Sequence, residues 1–156
     1  MKRNIYVSES SIGKGVFAGQ DFAPGDLILI LRGKKFKWGD PIHYTDYGAY
    51  LIQTGYKSYI LPDNPGVFLN HSCKPNAGIH NNRRLIAISK ISKGEEIAFD
   101  YSTTMDENFW TLDCMCNSPE CRGKITDFKL LPSEFQTRYI MLNVVQRFIV
   151  SRFKAW

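Results

Sequence analysis

Apolar and polar positions alternate in short runs over the first hundred residues, broken by glycine and proline. Val16 and Phe17, and then the run Leu27 to Leu31, flank the turn sequence Ala23-Pro24-Gly25-Asp26 and predict two strands. Tyr50-Leu51-Ile52 and Tyr59-Ile60-Leu61 predict a hairpin around Thr54-Gly55. Leu85 to Ile88 and Glu96 to Asp100 predict two more strands, joined through the turn of residues 92 to 96. Beyond Leu131-Pro132 the period changes. Phe135, Tyr139, Leu142, Val145 and Ile149 recur at three- and four-residue steps, and Ser133 with Gln136 forms a capping box. The spacing predicts an amphipathic helix of about four to five turns whose stripe packs on a core. The expected class is mainly β with a C-terminal helix (α+β). No alternating βαβ pattern points to a parallel nucleotide-binding sheet.

Composition adds limits. A chain of 156 residues, 44% hydrophobic and 22% charged, suits one soluble domain able to bury a core. It has no run of about 20 apolar residues, and its start, MKRNIYVSES, lacks the apolar core of a signal peptide. The expectation is an intracellular, reducing compartment, cytoplasm or nucleus, with no membrane contact; a secreted effector is the other setting considered. A formal charge of +5 favours acidic surfaces, but Lys and Arg are scattered, with dense spots only at Arg32 to Lys37 and Arg83-Arg84. An ordinary solvated basic surface explains most of this, leaving chromatin or nucleic-acid proximity as the partner reading.

Candidate chemistry centres on cysteine. Cys114, Cys116 and Cys121 fall within eight residues, and Cys73 stands alone. In a reducing compartment such clustering points to structural zinc, which is usually closed by four ligands. Cys73 is the remaining cysteine; His43, His71 and His80 compete with it for the fourth place. In Asn70-His71-Ser72-Cys73, an imidazole two residues from a thiol also admits a nucleophilic dyad, because positions i and i+2 of an extended chain face one side. Gly13 and Gly15 precede a strand and read as a turn that needs small residues, since no third glycine or helix follows. Tyr101, after Phe99-Asp100 at a strand end, reads alone as packing.

Taken in order, Gly13 to Ala18 (GKGVFA), AYLI from Ala49 to Ile52, FLNHSCKPN from Phe68 to Asn76, GEEIAFDYS from Gly94 to Ser102 and CMCNSPECRG from Cys114 to Gly123 resemble the SET-domain protein lysine methyltransferases with their zinc-binding post-SET segment. The resemblance implies a SET-type β-clip of short sheets with a knot-like crossing of the 68–73 segment and the segment after Tyr101. It divides the chain into a SET core (1–108), a post-SET zinc segment (109–131) and a C-terminal helix (132–156). It implies that Ile12, Gly13, Lys14 and Gly15 form a ledge for S-adenosylmethionine, and that Asn70 and His71 hold that cofactor. Tyr101 is then the active-site tyrosine, lining the lysine channel with Tyr50 and Phe99, while Ile125 or Phe128 packs over the cofactor. Cys73, Cys114, Cys116 and Cys121 are the zinc ligands it implies, with S-adenosylhomocysteine as product.

Phe99, where some relatives carry tyrosine, leaves room for bulkier methylated amines and implies products beyond monomethyl-lysine. Val67 stands where many relatives have arginine. The implied substrate is a lysine on a histone or another basic protein. Two rivals stand beside this reading: a cysteine hydrolase built on His71 and Cys73, and a catalytically weak zinc-stabilised module that binds chromatin or another acidic partner.

Overall fold

The structure, a computed structural model, describes residues 4–108 and 110–153. The expected start of the post-SET segment at residue 109, and the helix end at residues 154–156, lie outside the described residues. Four small sheets carry most of the fold. Strands β1 (Ile5–Ser10) and β2 (Gly13–Ala18) form an antiparallel hairpin. The first sheet continues from β2 to β10 (Glu96–Phe99), and β10 pairs in parallel with the two-residue β7 (Asn70–His71). A second sheet runs β3 (Leu27–Ile30), β9 (Arg84–Ala87), β8 (Ala77–His80). A third runs β4 (Gly33–Lys37), β6 (Ser58–Pro62), β5 (Ile52–Gly55). Strands β11 (Leu112–Asp113) and β12 (Lys124–Ile125) bracket the cysteine-rich loop. None of the described helices is long and apolar enough to cross a membrane.

The inward residues of these sheets meet in one core that includes Val16, Phe22, Leu31, Ile60, Ile79, Leu85, Ile97 and Phe99. Each such side chain contributes about 1.5–3 kcal/mol by leaving water. A second core of Phe128, Leu131, Tyr139, Val144, Val145 and Ile149 packs the C-terminal elements onto Ile86 and Ile88.

Three expectations are corrected. The hairpin is shifted: Tyr50 ends a 3-10 turn over Asp46–Tyr50, and the chain reverses at Tyr56-Lys57, where Lys57 takes φ 53°, rather than at Thr54-Gly55. The expected turn before β10 does form, with Glu95 N–H on Ser92 O, and it leads from β9, which pairs with β3 and β8, into β10, which pairs with β2 and β7.

The C-terminal helix is two helices, α1 (Ser133–Met141) and α2 (Arg147–Phe153). Asn143 breaks the run at φ 60°, and Val144, Val145 and Gln146 are all buried. Three successive residues turn through about 200° on a helix and cannot all face one core. Tertiary packing therefore overrides the period, and Leu142 faces outward, 37% exposed. No capping box forms: Pro132 precedes α1, and the Gln136 amide instead donates to the carbonyls of Phe128 and Lys129.

Candidate active site and cysteine cluster

The β7–β10 crossing gathers the sequence-identified residues. Pairing of Ala98 with Asn70 and of Phe99 with His71 sets the first half of the chain against Tyr101, which begins a 3-10 turn immediately after β10. Asn76 locks the crossing from outside the ladder, since its amide donates to Glu96 O and accepts from Ala98 N–H. The Tyr101 hydroxyl donates to Leu69 O at 2.6 Å, and its backbone N–H donates to His71 Nδ1 at 3.1 Å. Burial, with smaller effects of Tyr50 and Glu96, pushes the Tyr101 phenol upward and keeps it protonated.

The glycine-flanked ledge joins the same sheet. Asn70 Nδ2 lies 3.0 Å from Lys14 O and 2.7 Å from Glu96 Oε1. A Cβ at Gly15 would meet that carboxylate at 2.3 Å, so this position admits no side chain while Glu96 stays put. Gly13 has φ 100°, which glycine adopts readily. Ile12, Gly13 and Lys14 are exposed while Gly15 is buried, and the Lys14 ammonium lies over the Phe68 ring. A polar ledge of backbone, amide and carboxylate, open to solvent beside Asn70, fits an amino-acid-bearing cofactor. Ile125 is buried at β12, whereas Phe128 is wholly enclosed in the second core against Phe153 and is not brought to this ledge.

Tyr101, Phe99 and Tyr50 line a cavity of about 400 Å³, together with Leu69, Val67 and Gly66. Phe99 and Tyr101 have ring centroids 5.0 Å apart. None of Ile12 to Gly15, Asn70 or His71 lines this cavity, so Tyr101 stands between the pocket and the ledge.

The thiols converge from two distant segments. Single ligand atoms of His71, Cys73, Cys114 and Cys116 all lie within 4.8 Å of one another, and Cys73 Sγ is 3.6 Å from Cys114 Sγ. Four sulfurs at ~2.3 Å from a tetrahedral zinc stand about 3.8 Å apart, so that spacing fits a shared cation and is far longer than a disulfide. Cys121 interacts with both Cys114 and Cys116. His43 and His80 are placed elsewhere, bonded to Lys37 O and Asn143 O.

His71 and Cys73 do touch, at 3.3 Å from Nε2 to Sγ, but not as a nucleophilic dyad. Nδ1 accepts from Tyr101 N–H, so the proton of the neutral ring sits on Nε2 and points at sulfur. Burial, reinforced by Arg122 and opposed by Asp100, pushes the imidazole down to about 4, while burial raises the Cys73 thiol. Cys73 is also 1% exposed. A proton-donating imidazole beside a buried, weakly acidic thiol activates nothing.

Sequence reasoning did not assign Asp100, although it sits within the quoted Phe-Asp-Tyr. Its carboxylate is 1% exposed and accepts from the Arg122 guanidinium at 2.8 Å, Tyr139 hydroxyl at 2.9 Å and Ser102 N–H at 3.1 Å. It thereby ties the cysteine loop and α1 to the residue before Tyr101. A buried carboxylate needs such partners, so an aspartate between two core aromatics was the signal available.

Among curated proteins, histone-lysine N-methyltransferase set-2 of Caenorhabditis elegans is 38% identical over 142 residues, spanning 78% of this chain and 9% of that protein. Histone-lysine N-methyltransferase 2D of Homo sapiens is 27% identical over 138 residues, spanning 78% of this chain and 2% of that protein. The chain thus corresponds to a small part of these curated relatives. A crystal structure of a Plasmodium falciparum protein, provisionally assigned as a histone methyltransferase, aligns with a TM-score of 0.52 at 27% identity, covering 64% of this chain and 93% of that one. Residues 13–102, more than half of the sequence, match the SET domain, and with the β7–β10 crossing and its tyrosine in place the chain belongs to the SET domain family.

Proposed function

We propose that the protein is an S-adenosylmethionine-dependent protein lysine N-methyltransferase acting on a histone or another basic protein. The observation that carries this reading is Tyr101: one side chain lines an aromatic pocket, and its backbone holds the segment bearing Asn70 and His71. The cofactor, held by Ile12 to Gly15, Asn70 and His71, would supply an activated methyl group.

The chain's own part is alignment, exclusion of water and handling of the lysine proton. A free lysine titrates near 10.4, and an apolar aromatic pocket favours its neutral amine. The Tyr101 hydroxyl spends its proton on Leu69 O, so its oxygen is left as an acceptor facing an amine N–H. Phe99 offers no hydroxyl, which supports further methylation of a methylated amine. Zinc held by Cys73, Cys114, Cys116 and Cys121 is structural here. The Nε2–H of His71 then donates to the Cys73 sulfur rather than ligating, because its other nitrogen is already engaged.

The test is labelled methyl transfer to a histone panel. Tyr101→Phe is expected to lower kcat by about 10²-fold with cofactor affinity retained, the scale of losing one polar group that acts at the transition state. No transfer to any protein, together with no cofactor binding by calorimetry, would favour the binding-module reading. A mass-spectrometric time course that stops at one methyl would remove the claim of higher methylation.

A further inference from the structure

The pocket holds more than an acceptor lysine uses. Besides the group around Tyr101, its wall carries a second connected set of side chains. Trp38 and His43 meet edge to face at 5.1 Å, His43 and Tyr59 at 4.7 Å, and Glu107 lines the same wall, close enough to Tyr59 for the two groups to interact. The lysine side chain has five heavy atoms beyond Cα, filling about 150 Å³ at roughly a water's ~30 Å³ each. The cavity is about 400 Å³.

Glu107 is fixed in that wall. Asp127, 2% exposed, accepts the backbone N–H groups of Glu107 and Asn108 at 3.0 and 2.7 Å, pinning the loop. The carboxylate has no cation partner among the ion pairs of the described residues; Lys129 and Arg152 both pair with Asp106 instead. His43 commits Nε2 to Lys37 O. A half-buried carboxylate in a wall that also carries Trp38, His43 and Tyr59, facing an open cavity, gains most from a cation that enters from outside. The net charge of +5 makes this local anion count, because a basic peptide is otherwise repelled by the chain as a whole.

We infer that Glu107, with Tyr59 and the Trp38–His43 pair, forms a second subsite that takes the guanidinium or ammonium of a basic residue flanking the acceptor lysine. Glu107 is thereby a specificity-determining residue, and the inference rests on the methyltransferase reading above. Approach of the cation restores full ionisation of a carboxyl group that burial and Asp127 hold above its usual range.

The test uses fluorescent peptides with one lysine, each flanking position carrying arginine or its neutral isostere citrulline. Binding is read by anisotropy with S-adenosylhomocysteine present. At one or more flanking positions the wild type should bind the arginine peptide at least about tenfold tighter, the scale of one charge-assisted hydrogen bond. Glu107→Gln should bring that ratio towards one, and Glu107→Asp should restore part of it. Equal affinities for arginine and citrulline in the wild type, or the same ratio in Glu107→Gln, overturn the subsite; the first comparison needs no variant to fold. Methyl transfer assayed on the same peptides separates the two readings. Transfer without flank preference overturns the subsite alone, and flank preference without transfer overturns the enzyme alone.

Discussion

At the scale of single residues, Asp100 couples more groups than any side chain in the proposed catalytic set. Arg122, whose side chain is 12% exposed, leaves Nε and Nη1 without hydrogen-bond partners among the described residues, so its charge is answered by Asp100 and the Phe135 ring at 5.3 Å. Replacing Asp100 by Asn removes the counter-charge and leaves a buried guanidinium, at a cost of about 3–5 kcal/mol. Removing both charges should cost less, so Asp100→Asn with Arg122→Met is expected to be more stable than Asp100→Asn alone. Urea unfolding checks the order. Losses that simply add would show that the pair is not coupled.

Among the elements, the link between α1 and α2 carries the least expected interaction. Gln146 is 0% exposed; its backbone N–H donates to Thr103 O at 3.0 Å and its amide donates to Gln53 O at 2.9 Å, joining α2 to β5 and to the turn after β10. Gln146→Leu keeps the volume but orphans the Gln53 carbonyl, with an expected loss of about 1–3 kcal/mol by thermal or urea unfolding. No measurable change would mean that the carbonyl finds another donor.

This contact was invisible in the sequence because an isolated Gln on an apolar stripe carries no sign of a partner 93 residues away. Local pattern was readable where pattern decides, as in β6 and β10, whose inward apolar residues are buried, and in β3, whose apolar run forms a strand although Leu27 and Ile30 stay exposed. It failed where tertiary packing decides, as at Leu142 to Gln146. The parallel pairing of a two-residue β7 has no period at all, and the crossing was legible only through the ordered set of short sequences. Asn70, His71, Cys73 and Tyr101 were readable for that reason, whereas Glu107 and Arg122, placed by loops, were not.

For the molecule as a whole, Cys73 is the point where metal, fold and pocket meet. It follows β7, receives His71 Nε2–H, and accepts the Arg122 backbone N–H at 3.4 Å from the cysteine loop. Cys121 is exposed, interacts with Cys114 and Cys116 of its own segment, and its sulfur accepts the Gly123 N–H. If the four cysteines hold one zinc, Cys73→Ser and Cys121→Ser should both lower zinc content, because a structural site closed by three ligands binds more weakly. They should differ in what else they disturb. Cys73→Ser should also lower cofactor affinity and speed hydrogen exchange across residues 70–73 and 100–104, since it loosens the segment that carries Asn70 and His71. Cys121→Ser should loosen residues 114–123 first and spare the ledge. Exchange in β3, β9 and β8, which share no side chain with the cluster, should stay slow in both. Full zinc occupancy in Cys121→Ser would make His71 the fourth ligand, and unchanged cofactor affinity in a zinc-depleted Cys73→Ser would separate the metal from the methyl-donor site.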